Sequence, residues 1–174
     1  MAQPVNYPNS IIETALELLE VRDGVLWMLA KGDSMYPLVC TGDLLRVQPV
    51  KELPQRGDIL VFHYGNVLAA HRLLDLRQNQ QGLVTSQTQG DHALHPDPPM
   101  AMEQVISRAI ALQRQGQELH LDTPPWRRIG RAVSTLQYIF LRVEDRTRPG
   151  IFVHRLTRAC ITLFLELYLN AVKR

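Results

Sequence analysis

Hydrophobic and polar positions change their spacing twice along this 174-residue chain. Apolar side chains between residues 12 and 21 recur at roughly helical intervals, Asn9 or Ser10 can cap the helix, and Glu13 is placed for a capping box. From residue 24 to residue 122 the apolar runs are short and are interrupted by Gly, Pro and Asp, which is typical of strands and turns. Longer apolar runs return after residue 124. The pattern predicts a short N-terminal helix, a mostly β region and C-terminal helices.

Each short apolar run in the middle region predicts one strand. The runs lie at residues 25–30, 44–47, 59–64, 67–76, 83–87, 104–113 and 118–121. Gly65-Asn66 predicts a tight hairpin between the third and fourth of these strands. Thr123-Pro124-Pro125 ends the β region, and helices are expected at 126–146 and 151–172. We therefore expect an α+β, mostly β fold with two parts, a domain over residues 1–123 and a helical extension over 124–174.

Composition limits the class of protein. A length of 174 residues and a hydrophobic content of 45% suit one well-buried core with a small extension. Residues 1–12 hold no basic stretch followed by an apolar run, so we expect neither a secretory signal nor an N-terminal anchor, and a cytoplasmic location. Cys40 and Cys160 lie far apart without metal-binding spacing, which predicts two reduced thiols rather than a disulfide or a zinc site.

The segment Gly32-Asp33-Ser34-Met35-Tyr36-Pro37 is the strongest candidate for chemistry. Gly32 lets the backbone bend where a substrate must approach, and Pro37 stiffens the end of the turn. A serine hydroxyl becomes a nucleophile when a neighbouring base takes its proton and a fixed donor receives the charge on the attacked oxygen. Ser34 is therefore a candidate nucleophile. Taken alone, the segment has an ordinary Asx-type turn as its alternative interpretation.

Three further motifs follow the serine in order, at Arg56–Phe62, Ala70–Leu73 and Gly90–Pro98. Together with the serine segment they resemble the ordered sequence boxes of the signal peptidase I family, over residues 32–98. The resemblance implies a mostly β catalytic domain that needs no cofactor and cleaves a peptide or preprotein substrate. Members of that family usually carry an N-terminal membrane span, which residues 1–12 do not lead us to expect here.

The identity of the base distinguishes the branches of that family. Most bacterial members use a lysine in the strand that carries Ala70-His71-Arg72 here, but the three lysines of this chain lie elsewhere. His71 stands in that position, which is similar to the endoplasmic-reticulum and archaeal type. That type has acidic residues in a downstream Gly-Asp box, which corresponds here to Asp91 and Asp97. The resemblance therefore implies Ser34 as nucleophile, His71 as base and one of the two aspartates as the acid that orients the histidine, with Asp97 preferred and Asp91 structural.

Other histidines and aspartates have simpler interpretations. His63, His92 and His95 do not come from elements expected to converge on a metal ion, so no metal site is predicted. Asp43 and Asp58 each follow a glycine, and both are predicted to form turns.

Charge is divided unevenly along the chain. Residues 1–126 carry 9 basic and 14 acidic side chains, a net charge of −5, whereas residues 127–174 carry 10 and 3, a net charge of +7. The apolar run Ala159–Val172 has basic flanks and is shorter than the about 20 residues that span a bilayer. Peripheral contact with an anionic membrane through the C-terminal helices is one interpretation, and packing on the chain's own core or a second subunit is the other. Nucleic acid is not expected as a partner, because the basic residues do not alternate with aromatic ones.

The leading hypothesis is a serine endopeptidase that binds an extended peptide as an added strand and cleaves it after small residues, with the backbone N–H of Ser34 as oxyanion donor. The alternative is a catalytically silent member of the same fold that holds a peptide or docks to a membrane or partner. A histidine in an apolar strand is often a packed core residue, which is the alternative interpretation of His71. A repressor-type self-cleaving protease would need a DNA-binding helix pair before the β region, for which about 23 residues are too few.

Overall fold

The structure is a computed structural model that describes residues 24–64 and 67–144, together with nine helical positions between residues 155 and 170. These positions are Arg155, Ala159, residues 161–163, residues 165–167 and Asn170. The predicted N-terminal helix and the Gly65-Asn66 hairpin turn lie outside the described residues. The predicted α+β, mostly β fold is confirmed.

The described part contains eight strands and one long helix. The strands are β1 (Leu26–Leu29), β2 (Leu44–Pro49), β3 (Ile59–Tyr64), β4 (Val67–Gln78), β5 (Val84–Gln89), β6 (Met100–Ala101), β7 (Val105–Arg114) and β8 (Gln117–His120). A single 3-10 turn at Met102–Gln104 joins β6 to β7, and helix α1 spans Pro124–Glu144. All seven predicted strands are present, and their ends differ from the predicted ones by at most two residues. The sequence did not predict β6, because two residues are too few to show an alternating pattern.

The strands form one antiparallel sheet in the order β1-β2-β7-β3-β4-β5-β6, and β8 pairs with β7. Strand β7 therefore lies between β2 and β3, although it comes four strands later than β3 in the chain. β-Bulges interrupt the pairing at Arg46/Val47, Val61/Phe62 and Leu73/Asp75. The last of these lies in β4 shortly after His71, next to the point where β5 begins to pair with β4.

The larger hydrophobic core joins the sheet to the helical residues. Its buried members are Met35, Leu38, Val39, Leu45, Val47, Ile59, Val61, Ala109, Leu112, Trp126, Val133, Ile161 and Leu165. The described positions between residues 155 and 170, which we call the C-terminal segment, thus pack on the chain's own core. Packing of this kind was one of the two interpretations of the sequence. Leu163 and Leu167 are exposed in the same segment. Membrane contact stays a prediction, as does the division of the chain at residue 124.

Helix α1 lies directly against the turn that precedes β3. A Cβ atom added to Gly130 would lie 2.8 Å from the carbonyl oxygen of Gly57, so glycine is needed for this close approach. The Ser134 hydroxyl donates to the carbonyl oxygen of Leu73 on β4 at 2.8 Å. Within the described ranges, no helix is both long and apolar enough to cross a membrane.

Candidate active site

A tight turn at residues 33–41, which we call the serine turn, presents Ser34 at the surface. The carbonyl oxygen of Met35 accepts the Val39 N–H at 3.0 Å, and both side chains are buried in the larger core. The Asp33 carboxylate closes the turn by accepting the Thr41 N–H at 3.1 Å and the Thr41 hydroxyl at 3.0 Å. Ser34 itself is exposed. The turn therefore exposes the Ser34 hydroxyl, while Met35 and Val39 anchor its backbone in the core.

His71 lies on β4, where its backbone pairs with Leu60 of β3. The ring packs edge-on against Phe62, with 5.8 Å between centroids, and 14% of the side chain is exposed. Its Nε2 atom lies 3.0 Å from the Ser34 hydroxyl oxygen. The structure thus brings the predicted nucleophile and the predicted base within hydrogen-bonding distance.

Asp97 contacts the other nitrogen of the same ring. Its Oδ2 atom lies 2.7 Å from His71 Nδ1, and the Thr88 hydroxyl donates to that same oxygen at 2.7 Å. The Asp97 N–H donates in turn to the Thr88 carbonyl oxygen at 2.8 Å. Asp97 is therefore fixed through its backbone and its carboxylate by one buried residue of β5.

This geometry assigns one of the two tautomers to the neutral imidazole of His71. A carboxylate accepts only, so the ring proton lies on Nδ1 of His71 and points to Asp97. The lone pair of Nε2 then faces the Ser34 hydroxyl, which donates to it. Such an arrangement can take a proton from the serine and hold the resulting imidazolium beside a negative charge.

Asp91, the other predicted acid, pairs with Arg72 and not with His71. The guanidinium donates to both carboxylate oxygens, from Nε at 2.7 Å and from Nη2 at 2.6 Å, and its Nη1 donates to the Gly57 carbonyl oxygen at 2.9 Å. Both side chains are almost completely buried. Asp91 therefore has a structural position, and its bidentate bond to Arg72 fixes the loop that follows β5.

The loop at residues 90–92 supports Ser34 directly. The His92 N–H donates to the Ser34 carbonyl oxygen at 2.8 Å, and a Cβ atom on Gly90 would lie 2.5 Å from that oxygen. A side chain at residue 90 would therefore push the loop away from the serine turn. A Cβ atom on Gly32 would meet no atom within 4 Å, so packing does not require this glycine, and the approach of a substrate there stays a prediction.

Asp43 and Asp58, which the sequence predicted to form turns, each accept a hydrogen bond from a backbone N–H three residues earlier. Asp43 accepts from the Cys40 N–H at 2.7 Å and from the Arg114 guanidinium at 2.7 and 2.9 Å. The hydrogen bond with Asp43 is the main reason that the pKa of Arg114 is raised. Asp58 accepts the Gln55 N–H at 2.8 Å. Among the described residues, no group of three or more His, Cys, Asp or Glu side chains is arranged to hold a metal ion.

Sequence reasoning missed the role of Thr88. The residue sits in the polar stretch Thr85–Gln89, in which no motif marks one threonine over another. Its position became visible only through pairing, since Thr88 lies opposite Leu73 in β4 next to a bulge. The signal that the sequence offered is that Thr88 lies two residues before the Gly90–Pro98 motif.

Comparison with known proteins is consistent with this geometry. The profile of the family described as Peptidase S24-like matches residues 4–95, which include Ser34, His71 and Asp91 and end just before Asp97. A protein of Synechocystis sp. (strain ATCC 27184 / PCC 6803 / Kazusa), "Uncharacterized protein sll0514", is 29% identical over 127 residues. The match covers 67% of this chain but only 23% of that protein, so the chain corresponds to a small part of the relative.

Proposed function

Because the chain belongs to the family of S24-like peptidases, we propose that it is a serine endopeptidase in which Ser34 is the nucleophile, His71 the base and Asp97 the orienting acid. The observation that carries this proposal is the continuous hydrogen-bonded chain from Ser34 Oγ through both ring nitrogens to Asp97, with distances of 3.0 and 2.7 Å. The histidine at residue 71 further favours the type of signal peptidase found in the endoplasmic reticulum and archaea.

The reaction proceeds in two halves. Ser34 Oγ attacks the substrate carbonyl carbon while its proton moves to His71 Nε2, and Asp97 stabilises the imidazolium through Nδ1–H. We expect the Ser34 N–H to donate to the carbonyl oxygen as it becomes negative. His71 then returns the proton to the leaving amine, which leaves an acyl-serine. Water, deprotonated by the same histidine, hydrolyses that ester and restores the serine.

Two open strand edges support binding of an extended peptide. Within the described residues, β1 pairs with β2 alone, and β4 pairs with β3 alone until Arg72, where its pairing with β5 begins. The first edge leads along the chain to Ser34, and the second ends at His71. A peptide that adds as a strand along either edge reaches the hydrogen-bonded chain with its backbone extended. The resemblance to signal peptidases favours a small residue before the cleaved bond and a precursor protein as the substrate.

The test is cleavage of a peptide library by the purified chain, with products identified by mass spectrometry. We expect Ser34→Ala and His71→Ala each to lower kcat about 10⁶-fold, because each removes a group without which the serine is not activated. Labelling by a fluorophosphonate probe, which reacts with activated serines, should be lost in the same two variants. His120→Ala is the matched control, since this exposed histidine of β8 lies beside Glu118, and it should cleave as the wild type does.

Two outcomes would contradict the proposal. Undiminished cleavage in Ser34→Ala would assign the activity to another group or to a contaminant. A chain that binds peptides in the wild type and in Ser34→Ala equally, without cleaving them, would instead support the silent peptide-binding alternative.

A further inference from the structure

The C-terminal segment makes a polar contact with the serine turn. The Tyr36 hydroxyl donates to Glu166 Oε1 at 2.5 Å, across 130 positions of the sequence. Tyr36 is separated from Ser34 by a single residue. A hydrogen bond that ends on a carboxylate is shorter and stronger than one between neutral groups. Glu166 therefore holds the side chain of a residue that belongs to the nucleophile's own turn.

Apolar packing fixes Glu166 where it can make this contact. The preceding residue, Leu165, is fully buried in the larger core, and Ile161, one helical turn earlier, is buried there too. Met35 and Leu38 of the serine turn belong to the same cluster. The C-terminal segment and the serine turn thus contribute buried residues to one core and are also joined by the hydrogen bond between Tyr36 and Glu166.

The charge of Glu166 keeps Tyr36 in the donating form. The hydrogen bond to the carboxylate, followed by the negative charge itself, raises the pKa of the Tyr36 phenol above its usual value. The phenol, which is protonated at neutral pH as in any tyrosine, therefore stays a hydrogen-bond donor up to a higher pH.

The same tyrosine also contacts the loop that supports Ser34 from the other side. Its ring packs edge-on against the His92 ring, with 5.6 Å between centroids, and the His92 N–H binds the Ser34 carbonyl oxygen. Tyr36 is consequently held between Glu166 and His92. A change on the Glu166 side can move the turn that carries the nucleophile.

We infer that Glu166 is a positioning residue for Ser34: by fixing Tyr36 it holds the serine turn in the orientation that places Ser34 Oγ beside His71. This role rests on the proposed serine peptidase function. It makes the hydrolytic activity dependent on docking of a C-terminal segment that contributes no reacting group. Sequence motifs cannot reveal the role, because Glu166 lies outside every box that resembles a known peptidase.

Kinetics of three variants test the inference. Glu166→Ala and Tyr36→Phe should each lower kcat on the order of tenfold with little change in KM, less than the about hundredfold that a 1 Å misplacement can cost. Glu166→Gln keeps an oxygen acceptor at the same position and should retain most of the activity. The double variant Tyr36→Phe/Glu166→Ala should be no slower than the slower single variant, because both substitutions remove the same hydrogen bond. Leu163→Ala, an exposed position in the same segment, is the control and should match the wild type.

Hydrogen exchange separates this inference from the proposed function. The amides of Tyr36 and Val39 are bonded within the serine turn, so they should exchange faster in Glu166→Ala than in the wild type or Glu166→Gln, while the amides of β3 and β4 stay protected. Equal protection of the turn in Glu166→Ala overturns the inference whether or not the chain cleaves peptides. Faster exchange with an unchanged kcat overturns it as well. If Ser34→Ala cleaves as the wild type does, the proposed function fails, and the exchange measurement still decides whether Glu166 orders the turn.

Discussion

Thr88 binds the carboxylate of Asp97, the proposed orienting acid. Asp97 Oδ2 accepts from the Thr88 hydroxyl and from His71 Nδ1, each at 2.7 Å. Two donors on one oxygen leave the carboxylate little freedom to rotate away from the ring. Thr88 is also fully buried, so water does not replace its hydroxyl easily. We therefore place Thr88 beside the three proposed catalytic residues as the group that positions the acid.

Replacing Thr88 with valine tests this position. Valine keeps the shape and removes the donor, so we expect kcat to fall about 10- to 100-fold, the equivalent of one hydrogen bond to a charged group. Thr85→Val, in the same strand, removes a hydroxyl that donates to the Arg77 carbonyl oxygen and should have little effect. Equal kcat values for Thr88→Val and the wild type would show that Asp97 is held by its backbone alone.

Some residues of the site were predictable from sequence motifs, and one became apparent only from the pairing of strands. The motifs identified Ser34, His71 and the two aspartates, because each lies in a short segment of unusual composition. The structure separates the aspartates through Arg72, whose side chain leaves the strand on the side opposite His71 and captures Asp91. The position of Thr88 opposite Leu73 depends on a strand register that a bulge sets, and a bulge has no reliable sequence signal.

At the scale of elements, the site is the meeting point of the serine turn, β4 and the loop after β5. The closest approach is at Gly90, where an added Cβ would lie 2.5 Å from the Ser34 carbonyl oxygen and 3.2 Å from the Ser34 Cβ. Two backbone segments therefore pack without a side chain between them. This is a closer contact than any other residue type allows.

We expect Gly90→Ala to separate the loop from the serine turn. The displacement should weaken the bond from the His92 N–H to Ser34 and lower kcat by about hundredfold, the typical cost of a misplacement near 1 Å. Thermal unfolding measured on the same sample distinguishes this effect from loss of the fold. An alanine variant with wild-type kcat would mean that the loop can shift without moving the serine.

Element bounds followed from the sequence, but their arrangement did not. Runs such as Ile59–Tyr64 are apolar and have turn residues at both ends, so their limits were visible locally. The insertion of β7 between β2 and β3 depends on pairing between residues that are 43 to 69 positions apart in the chain. No local pattern encodes that choice.

At the scale of the whole molecule, one core contains residues from the serine turn, the sheet, α1 and the C-terminal segment. Leu165 is fully buried in it, whereas 61% of Leu167, two residues later, is exposed. Global stability should therefore depend on one face of the C-terminal segment and not on the other.

The pair Leu165→Ala and Leu167→Ala tests this dependence. Leu165→Ala should lower the free energy of unfolding by about 2–5 kcal/mol, because it leaves a cavity in the core. Leu167→Ala should change it by no more than about 0.5 kcal/mol. Denaturant unfolding of both variants measures the difference, and equal values would show that the C-terminal segment is not part of the cooperative unit.

The position of Glu166 in the chain also has a consequence for the timing of activity. A ribosome makes Ser34, His71 and Asp97 well before Glu166, which is 130 positions beyond its partner Tyr36. During synthesis, a nascent chain can thus contain the proposed nucleophile, base and acid before Glu166, the residue inferred to position Ser34, has been added. Given the role inferred for Glu166, the proposed peptidase activity reaches its full level only after the C-terminal segment has been translated and has docked, so the chain is least active while it is itself still being made.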